Sequence, residues 1–417
     1  MATTISFELD IPGIEIIKTT IDKNGKFHIE AKSTATECKC NQCEKKITKI
    51  HSYGDEISIR HLPILGDKEC YIHIKPRRFW CEDCKKSPTE QYEWKGHKIQ
   101  HTYDYEPYIL KQLINSTAAD VARKENIDEG VIDRILKKYY QKEVNWNDFE
   151  KLGQIGIDEI ALKKGHKDFV TIVTSRINGE IKILGVLKDK KKKTVKEFLQ
   201  KIPKLLKKTV TSVCSDLYEG FINAAAEVFG KKIKIVADRF HVAKLYRGSF
   251  DKLRLKELGR LRKNLSKEKY AELKNAMWIL RKKSSKLNCK EKKVLKKLFE
   301  QSPDLKKAYE MRNNLTEIFD TQTSRNGGIR RLKNWIKKVT QSTLTCFKTF
   351  VGTLTKRMIE IANYFIKREN SGFVEGFNNK IKVLKRRCYG IKSEEYLFQR
   401  MSLDIDKSYF SSMSKQK

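Results

Sequence analysis

The middle of the chain has the clearest pattern of hydrophobic and polar positions. Five runs of strand length are apolar and rich in β-branched residues: 154–162, 169–174, 181–187, 209–214 and 233–237. Amphipathic helices are predicted between the last three runs, the first beginning with the capping box Thr194-Val-Lys-Glu197. Three strands, a helix, a strand, a helix and a strand indicate an α/β sheet with mixed strand directions. This is also the element order of an RNase-H-like core.

The segments on either side of this sheet have helical periodicity. Residues 101–142 are predicted to be helices, and residues 241–364 are almost wholly helical and very basic. Within the second segment, Asn326-Gly327-Gly328 is expected to separate two helices. A further short helix is predicted to start near Ser371.

The charge balance adds a functional constraint. Of 417 residues, 88 are lysine or arginine and 52 are aspartate or glutamate, which gives a net charge of +36. A folded chain this basic repels itself unless a polyanion is its usual partner, and nucleic acid is the leading candidate. The alternative is a lysine-rich composition inherited from an AT-rich genome.

No run approaches the ~18 consecutive apolar residues of a membrane span, and the N-terminus lacks the pattern of a secretory signal. We therefore expect a cytoplasmic, nucleoid-associated protein that does not bind membranes. Its ten cysteines are then reduced, so closely spaced pairs indicate metal ligands rather than disulfides.

Two such pairs lie near the N-terminus: Cys40-Asn-Gln-Cys43 and Cys81-Glu-Asp-Cys84. Four thiolates in two tight turns suit one structural Zn²⁺. The strand-like runs between the pairs favour a zinc ribbon. Cys38 is close enough to compete as a ligand but is taken as the odd one out, and unpaired cysteines are the alternative.

Residues 115–136 have the pattern of two short helices around a turn. The inward positions are Ala118, Val121 and Ala122 in the first helix and Val131, Ile132, Ile135 and Leu136 in the second. This spacing suits a helix-turn-helix, whose second helix enters the major groove of DNA. The basic residues that could reach DNA are Arg123, Arg134, Lys137 and Lys138. An ordinary helical hairpin is the alternative.

These patterns predict a multidomain α/β protein, in which an RNase-H-like core is interrupted by an all-helical insertion and preceded by a zinc ribbon and a helix-turn-helix. The predicted sections are the zinc-ribbon region (1–100), the helix-turn-helix domain (101–148), the first part of the core (149–245), the basic helical insertion (246–364), the last part of the core (365–400) and a flexible tail (401–417).

Three carboxylates stand out as candidate catalytic groups. Asp158 lies inside an apolar strand, where a charge is costly unless it is paired or bound to metal. Asp216 follows the fourth strand, and sites gather at strand ends in α/β sheets. Glu375 lies in a predicted helix, on one face with Asn379 and Lys382, and that face could contact metal and DNA backbone together.

Phosphodiester chemistry explains the need for several carboxylates. Two Mg²⁺ or Mn²⁺ ions, about 4 Å apart, activate the attacking oxygen and stabilise the leaving one, and such ions prefer oxygen ligands. Asp238 also follows a strand and competes with Asp216 for the second position. We favour a structural or supporting role for Asp238 and for the nearby His241.

The cysteines and carboxylates lie within longer motifs. These are the Cys40–Cys43 pair followed by His61-Leu-Pro-Ile64, Arg77-Arg-Phe-Trp-Cys-Glu-Asp-Cys84, Ala119-Asp-Val-Ala-Arg123, Gly156-Ile-Asp-Glu-Ile-Ala161, Ser215-Asp216, Ala237-Asp-Arg-Phe-His-Val242 and Val374-Glu-Gly-Phe-Asn-Asn-Lys-Ile-Lys382. Together they span most of the chain, and their combination resembles the ISL3 group of bacterial insertion-sequence transposases. Asn41, where the family typically has proline in the first cysteine pair, is a small departure.

The resemblance implies a DDE transposase whose catalytic acids are Asp158, Asp216 and Glu375. It also implies that the zinc ribbon and helix-turn-helix bind the terminal inverted repeats of double-stranded DNA, and that the enzyme joins the element to target DNA. We expect a homodimer on DNA. The alternatives are a DNA-binding regulator with an inactive transposase-like core and a structure-specific nuclease.

Overall fold

A computed structural model describes residues 9, 11–140, 143–162, 168–230, 232–282, 284–367 and 372–405, with the backbone alone at 285 and 372–375. The chain divides into two compact units: residues 1–141 with 387–389, and residues 142–386 with 390–417. Among the described residues, no helix has the length and apolar character needed to span a membrane.

The first unit begins with a β-rich part. Its strands are β1 (Ile14–Ile21), β2 (Phe27–Ser33), β3 (Cys38–Lys39), β4 (Lys46–Ile47), β5 (Ile50–Tyr53), β6 (Ile57–Ile64), β7 (Lys68–Ile74) and β8 (Arg77–Phe79). The order β1-β2-β7-β6 forms a four-stranded sheet, in which only the central pair, β2 and β7, is parallel. The short pairs β3–β4 and β5–β8 are antiparallel and carry the cysteines at their ends.

Three helices complete the first unit: α1 (Tyr105–Leu113), α2 (Ala118–Glu125) and α3 (Glu129–Tyr139). The turn between α2 and α3 is fixed by local chemistry. Asn126 ends α2 in the left-handed conformation at φ 52°, which asparagine tolerates, and Asp128 caps α3 by accepting from the amide of Gly130 at 2.7 Å. The predicted inward residues are buried at Ala118, Val121, Ala122, Ile132, Ile135 and Leu136, and Val131 is half-buried.

The second unit is built around a five-stranded sheet of β9 (Gly153–Ala161), β10 (Phe169–Ile177), β11 (Glu180–Leu187), β12 (Val210–Ser215) and β13 (Lys234–Ala237). The spatial order is β11-β10-β9-β12-β13. Strand β10 is antiparallel to both of its neighbours, whereas β12 is parallel to β9 and to β13. The predicted strands are therefore confirmed, with mixed directions in one sheet.

The helices of this unit are α4 (Lys192–Lys201), α5 (Lys204–Lys208), α6 (Glu219–Phe229), α7 (Arg239–Asn264), α8 (Lys267–Ala271), α9 (Ala276–Arg281), α10 (Cys289–Gln301), α11 (Pro303–Asp320), α12 (Arg325–Gln341), α13 (Lys348–Lys356), α14 (Met358–Ala362), α15 (Tyr364–Lys367), α16 (Gly372–Arg387) and α17 (Glu394–Asp404). Helices α7–α15 share one large apolar cluster around Trp335 and Phe350.

The two faces of the sheet bury different helices. Ile155 and Ile157 of β9 point into an apolar cluster with Val195 of α4 and Phe221 of α6. Because side chains alternate along a strand, Asp158 points to the opposite face, where α16 and α17 pack. This alternation places one buried carboxylate beneath a helix.

Two predictions of helix starts are wrong. Thr194 does not begin a capping box, because α4 starts two residues earlier, where Asp189 accepts a hydrogen bond from the amide of Lys191 at 2.9 Å. The sequence Asn326-Gly327-Gly328 does not break a helix but forms the first turn of α12, which Ser324 caps. Gly328 is needed there because a Cβ would overlap the ring of Phe365.

Candidate active site and metal centre

Asp158 lies on β9, and Asp216 directly follows the adjacent parallel strand β12. Ile157 of β9 pairs with Ser215 of β12, so the residues that follow each of them lie at the same level. Adjacent strands are about 4.8 Å apart, which brings the two aspartates close together although they are distant in sequence. The charge of Asp158 accordingly raises the pKa of Asp216.

Both carboxylates are costly to ionise in the protein alone. Burial raises the pKa of Asp158, although its oxygens accept hydrogen bonds from the amide of Glu159 at 2.8 Å and from the side-chain amide of Asn378. Burial also raises the pKa of Asp216, and the neighbouring charge of Asp158 raises it further. The hydrogen bond that Asp216 accepts from the amide of Tyr218 at 3.0 Å lowers it. Paired buried carboxylates of this kind suit a divalent cation, which offsets their repulsion and accepts oxygen ligands.

A third aspartate lies at the end of the next strand, β13, but has a structural explanation. The carboxylate of Asp238 caps helix α7 by accepting from the amide of Phe240 at 2.7 Å. Its other oxygen is 3.8 Å from Nε2 of His241, which is half-buried one turn into the helix. A positive charge on His241 lowers the pKa of Asp158 and the pKa of Asp216, so the ring supports the ionised forms of these two aspartates.

Helix α16 passes over the same end of β9. Asn378 donates to Asp158, and Lys385, two turns later, donates to the carbonyl of Ala161. Glu375 lies one turn before Asn378 in this helix, and its side chain is outside the described residues. The helix that carries the third predicted acid is therefore fastened to the strand that carries the first.

The sequence pattern points to Asn379 and Lys382 rather than to Asn378. Both of those side chains are exposed. The Oδ1 atom of Asn378 is buried and accepts no hydrogen bond from the described residues. A free oxygen beside Asp158 adds to the acceptor atoms that a cation or its water ligands would find there. The available signal was the spacing from Glu375, since residues three apart are neighbours on a helix.

The four predicted zinc ligands converge in the first unit. The Sγ atoms of Cys40, Cys43, Cys81 and Cys84 all lie within 4.8 Å of one another. The Cys40–Cys84 and Cys43–Cys81 separations are 3.9 and 3.7 Å. A tetrahedral site with Zn–S bonds of about 2.3 Å requires sulfurs about 3.8 Å apart. The cluster is therefore compatible with zinc, and Cys38 is not part of it.

The two cysteine turns have the same local geometry. In each, the amide of the first cysteine, Cys40 or Cys81, donates at 2.9 Å to the carbonyl five residues later. The residue after the second cysteine is left-handed in both, at Glu44 with φ 58° and Lys85 with φ 50°. Two equivalent turns present two thiols each, which explains how short sequences form one four-sulfur site.

Comparison with known proteins decides the family. The sequence model of the ISL3 transposases, described as "Transposase", matches residues 155–401, more than half of the chain. The chain belongs to the ISL3 family of transposases. The matched region contains the three predicted acids and the whole helical insertion.

Named relatives of this ISL3 transposase agree with the family match. The chain is 27% identical over 389 residues to the transposase for insertion sequence element IS1001 of Bordetella parapertussis, and the alignment covers 93% of each protein. It is 22% identical over 382 residues to the transposase for element IS1557 of Mycobacterium tuberculosis, with 86% of this chain and 84% of the relative covered. The similarity extends over the N-terminal region as well as the five-stranded sheet.

The residues of this transposase that are predicted to contact DNA differ in whether they already form ion pairs within the protein. Arg134 and Lys137 are exposed on α3. Arg123 is exposed on α2 and pairs with Asp120 at 2.7 Å. Lys138 pairs with Glu106 at 2.5 Å, so phosphate would compete with a buried carboxylate for it.

Proposed function

We propose that this ISL3 transposase is a DDE enzyme with an RNase-H-like core, in which Asp158, Asp216 and Glu375 hold two Mg²⁺ or Mn²⁺ ions. The observation that carries the proposal is the meeting of Asp158, Asp216 and helix α16 at one end of the sheet. The strand order, with one antiparallel strand between β9 and β11 and parallel strands on the other side of β9, supports the RNase-H-like core.

Each residue has a distinct task in this mechanism. Two divalent ions, when bound, activate the attacking oxygen and stabilise the leaving oxygen of a phosphodiester. Asp158, on β9, and Asp216, directly after β12, would supply oxygen ligands to these ions. Asn378 fixes one oxygen of Asp158, and Glu375 would contribute its carboxylate from the preceding turn of α16. His241 favours the ionised forms of the aspartates before metal binds.

The proposed reaction has two steps at each end of the element. Water attacks a phosphodiester bond and releases a 3′-hydroxyl at the end of the element. That hydroxyl then attacks a phosphodiester bond of target DNA, forming one bond and releasing another 3′-hydroxyl. The energy of the broken bond is kept in the new one, so no covalent link between protein and DNA is needed.

The first unit is proposed to recognise the terminal inverted repeats. Helix α3 would enter the major groove with exposed Arg134 and Lys137, while Arg123 and Lys138 contact the backbone nearby. The zinc ribbon would hold the β-rich part in shape beside these helices. Since an element has two ends, we propose that two copies of the chain act together on DNA.

The test is a cleavage and joining assay on duplexes that end in the inverted repeats flanking the gene, with Mg²⁺ and a plasmid target. Asp158→Asn and Asp216→Asn are expected to bind the duplex as the unmodified protein does but to neither cut nor join it. Asp238→Asn is the matched control and should keep activity, because Asp238 caps a helix and asparagine caps a helix about as well.

The alternatives give different results in the same assay. A DNA-binding regulator with an inactive core would bind the repeats and never cut them, and Asp158→Asn would change nothing. A structure-specific nuclease would cut the duplex without joining its ends to the plasmid. Either result would overturn the proposed strand transfer.

A further inference from the structure

Helix α12 has a charge distribution unlike that of its neighbour. Its 17 residues contain six basic side chains and no acidic one. Helix α11, which precedes it, mixes four acidic with three basic residues. Like charges three and four residues apart are unfavourable in a helix by themselves, so such a distribution suggests that a polyanion relieves the repulsion.

The charges of α12 lie on the side away from the core. Leu332 and Trp335 are buried in the apolar cluster of the insertion. Arg330, Lys333 and Lys337 follow one another at spacings of three and four residues and are exposed, forming a stripe about 10 Å long. The exposed Arg331 and Lys338 lie on one side of that stripe.

These cations have no acidic partner within the part of the chain that the structure describes. Other lysines of the second unit do: Lys192 and Lys196 lie 2.5 and 2.9 Å from carboxylate oxygens of Glu227, and Lys297 lies 2.9 Å from Glu272. The stripe is therefore not a surface whose charges are balanced locally.

A short chain of contacts connects the start of α12 with the candidate active site. Gly328, in the first turn, lies against the ring of Phe365. Phe365 stacks on Phe319 at 5.6 Å between ring centroids, and the guanidinium of Arg239 lies 5.1 Å from the centroid of Phe319. Arg239 directly follows Asp238 at the end of β13. Packing contacts therefore link the start of α12 to the residue that follows Asp238.

We propose that Arg330, Lys333 and Lys337, here called the α12 stripe, bind the phosphate backbone of duplex DNA independently of base sequence. This inference rests on the proposed DNA-processing function but assigns the non-specific contacts to one helix. Phosphates accept from arginine and lysine without regard to sequence, so the α12 stripe positions DNA and does not select it.

The test measures how salt weakens DNA binding by the full chain. One variant combines Arg330→Gln, Lys333→Gln and Lys337→Gln, because glutamine keeps helix propensity. Its binding to a random-sequence duplex is measured by fluorescence anisotropy. Each lost phosphate contact reduces the slope of log affinity against log salt by about 0.9, so three reduce it by about 2.7. The ratio of the affinity of the unmodified protein to that of the triple variant should therefore fall roughly 40-fold between about 50 and 200 mM salt.

The matched control removes the same number of charges from ion-paired positions: Lys192→Gln, Lys196→Gln and Lys297→Gln. We expect this variant to keep the slope of the unmodified protein. Circular dichroism and thermal melting should show both variants folded. Equal slopes in all three proteins, or equal losses in the two triple variants, would overturn the assignment, since net charge alone would then explain binding.

The outcome can be separated from the proposed chemistry. The α12 variant should need a higher protein concentration than the unmodified protein for half-maximal cleavage, and the difference should change with salt as its binding does, whereas Asp158→Asn should bind with an unchanged slope and not cut. If no protein cuts, the DDE mechanism fails while the salt slopes still decide the role of the α12 stripe.

Discussion

Asn378 provides the sharpest single perturbation of the candidate site. Its side-chain amide donates to Asp158, a buried carboxylate whose pKa burial raises. Asn378→Ala removes this hydrogen bond. A hydrogen bond to a charged group contributes about 1.5–3 kcal/mol, so its loss in the transition state predicts cleavage slowed by about 10- to 150-fold.

The assay is single-turnover cleavage of an end-containing duplex at increasing Mg²⁺ concentration. If Asn378 orients Asp158 as a metal ligand, Asn378→Ala should raise the Mg²⁺ concentration for half-maximal rate and leave DNA affinity unchanged. The adjacent Asn379 is exposed, and Asn378 rather than Asn379 donates to Asp158, so Asn379→Ala should keep the Mg²⁺ dependence of the unmodified protein to within about twofold.

A second substitution gives a readout that does not depend on activity. Asn378→Asp keeps the shape of the side chain but places a carboxylate against Asp158. Because like charges at this distance repel, the melting temperature should fall in EDTA and recover with Mn²⁺ more than in the unmodified protein. The reasoning is refuted if Asn378→Ala only lowers the melting temperature and its Mg²⁺ dependence is unchanged. In that case, Asn378 simply fastens helix α16 to the sheet.

Two further predictions concern the zinc centre and the packing of the insertion. Cys81→Ser is expected to lose about one zinc ion per chain, measured by elemental analysis, and to melt at lower temperature, whereas Cys38→Ser should retain the metal, because Cys38 lies outside the four-sulfur cluster. Gly328→Ala is expected to lower the free energy of unfolding by about 1–3 kcal/mol, measured with urea, because a Cβ overlaps Phe365. Gly352→Ala, also helical but facing open space, should instead raise it by about 0.5–1 kcal/mol.

The sheet of the second unit was predictable from sequence because its strands are buried. Buried strands carry nearly continuous apolar runs, and each of the five predicted runs matches an observed strand to within three residues. Cysteine spacing likewise predicted the four-sulfur cluster, since two paired turns leave few other arrangements. In both cases, a local pattern determines the structure.

The partner of Asp158 was not predictable in the same way. Asn378 and Asn379 are adjacent residues of one type, and a helix separates them by about 100° around its axis. Which of them faces β9 depends on the rotation of α16, which the burial of Phe377, Ile381 and Leu384 determines. Similarly, the start of α4 is set by contacts outside the predicted capping box: Asp189 accepts hydrogen bonds from the amide of Lys191 and from the side chain of Thr194.

The path of the helical insertion explains how α16, so far along the sequence, packs beside Asp158. Helix α7 leaves the sheet directly after β13, at the capping residue Asp238. The insertion returns to the strand from which it left: α14 packs on β13, and the side-chain amide of Asn363 donates to the carbonyl of Ile235 at 2.8 Å. Because departure and return lie on the same strand, the insertion can change in length without moving α16 away from Asp158. A deletion that removed Asn363 would break this closure, and would be expected to disturb the position of Glu375 even with every predicted acid intact.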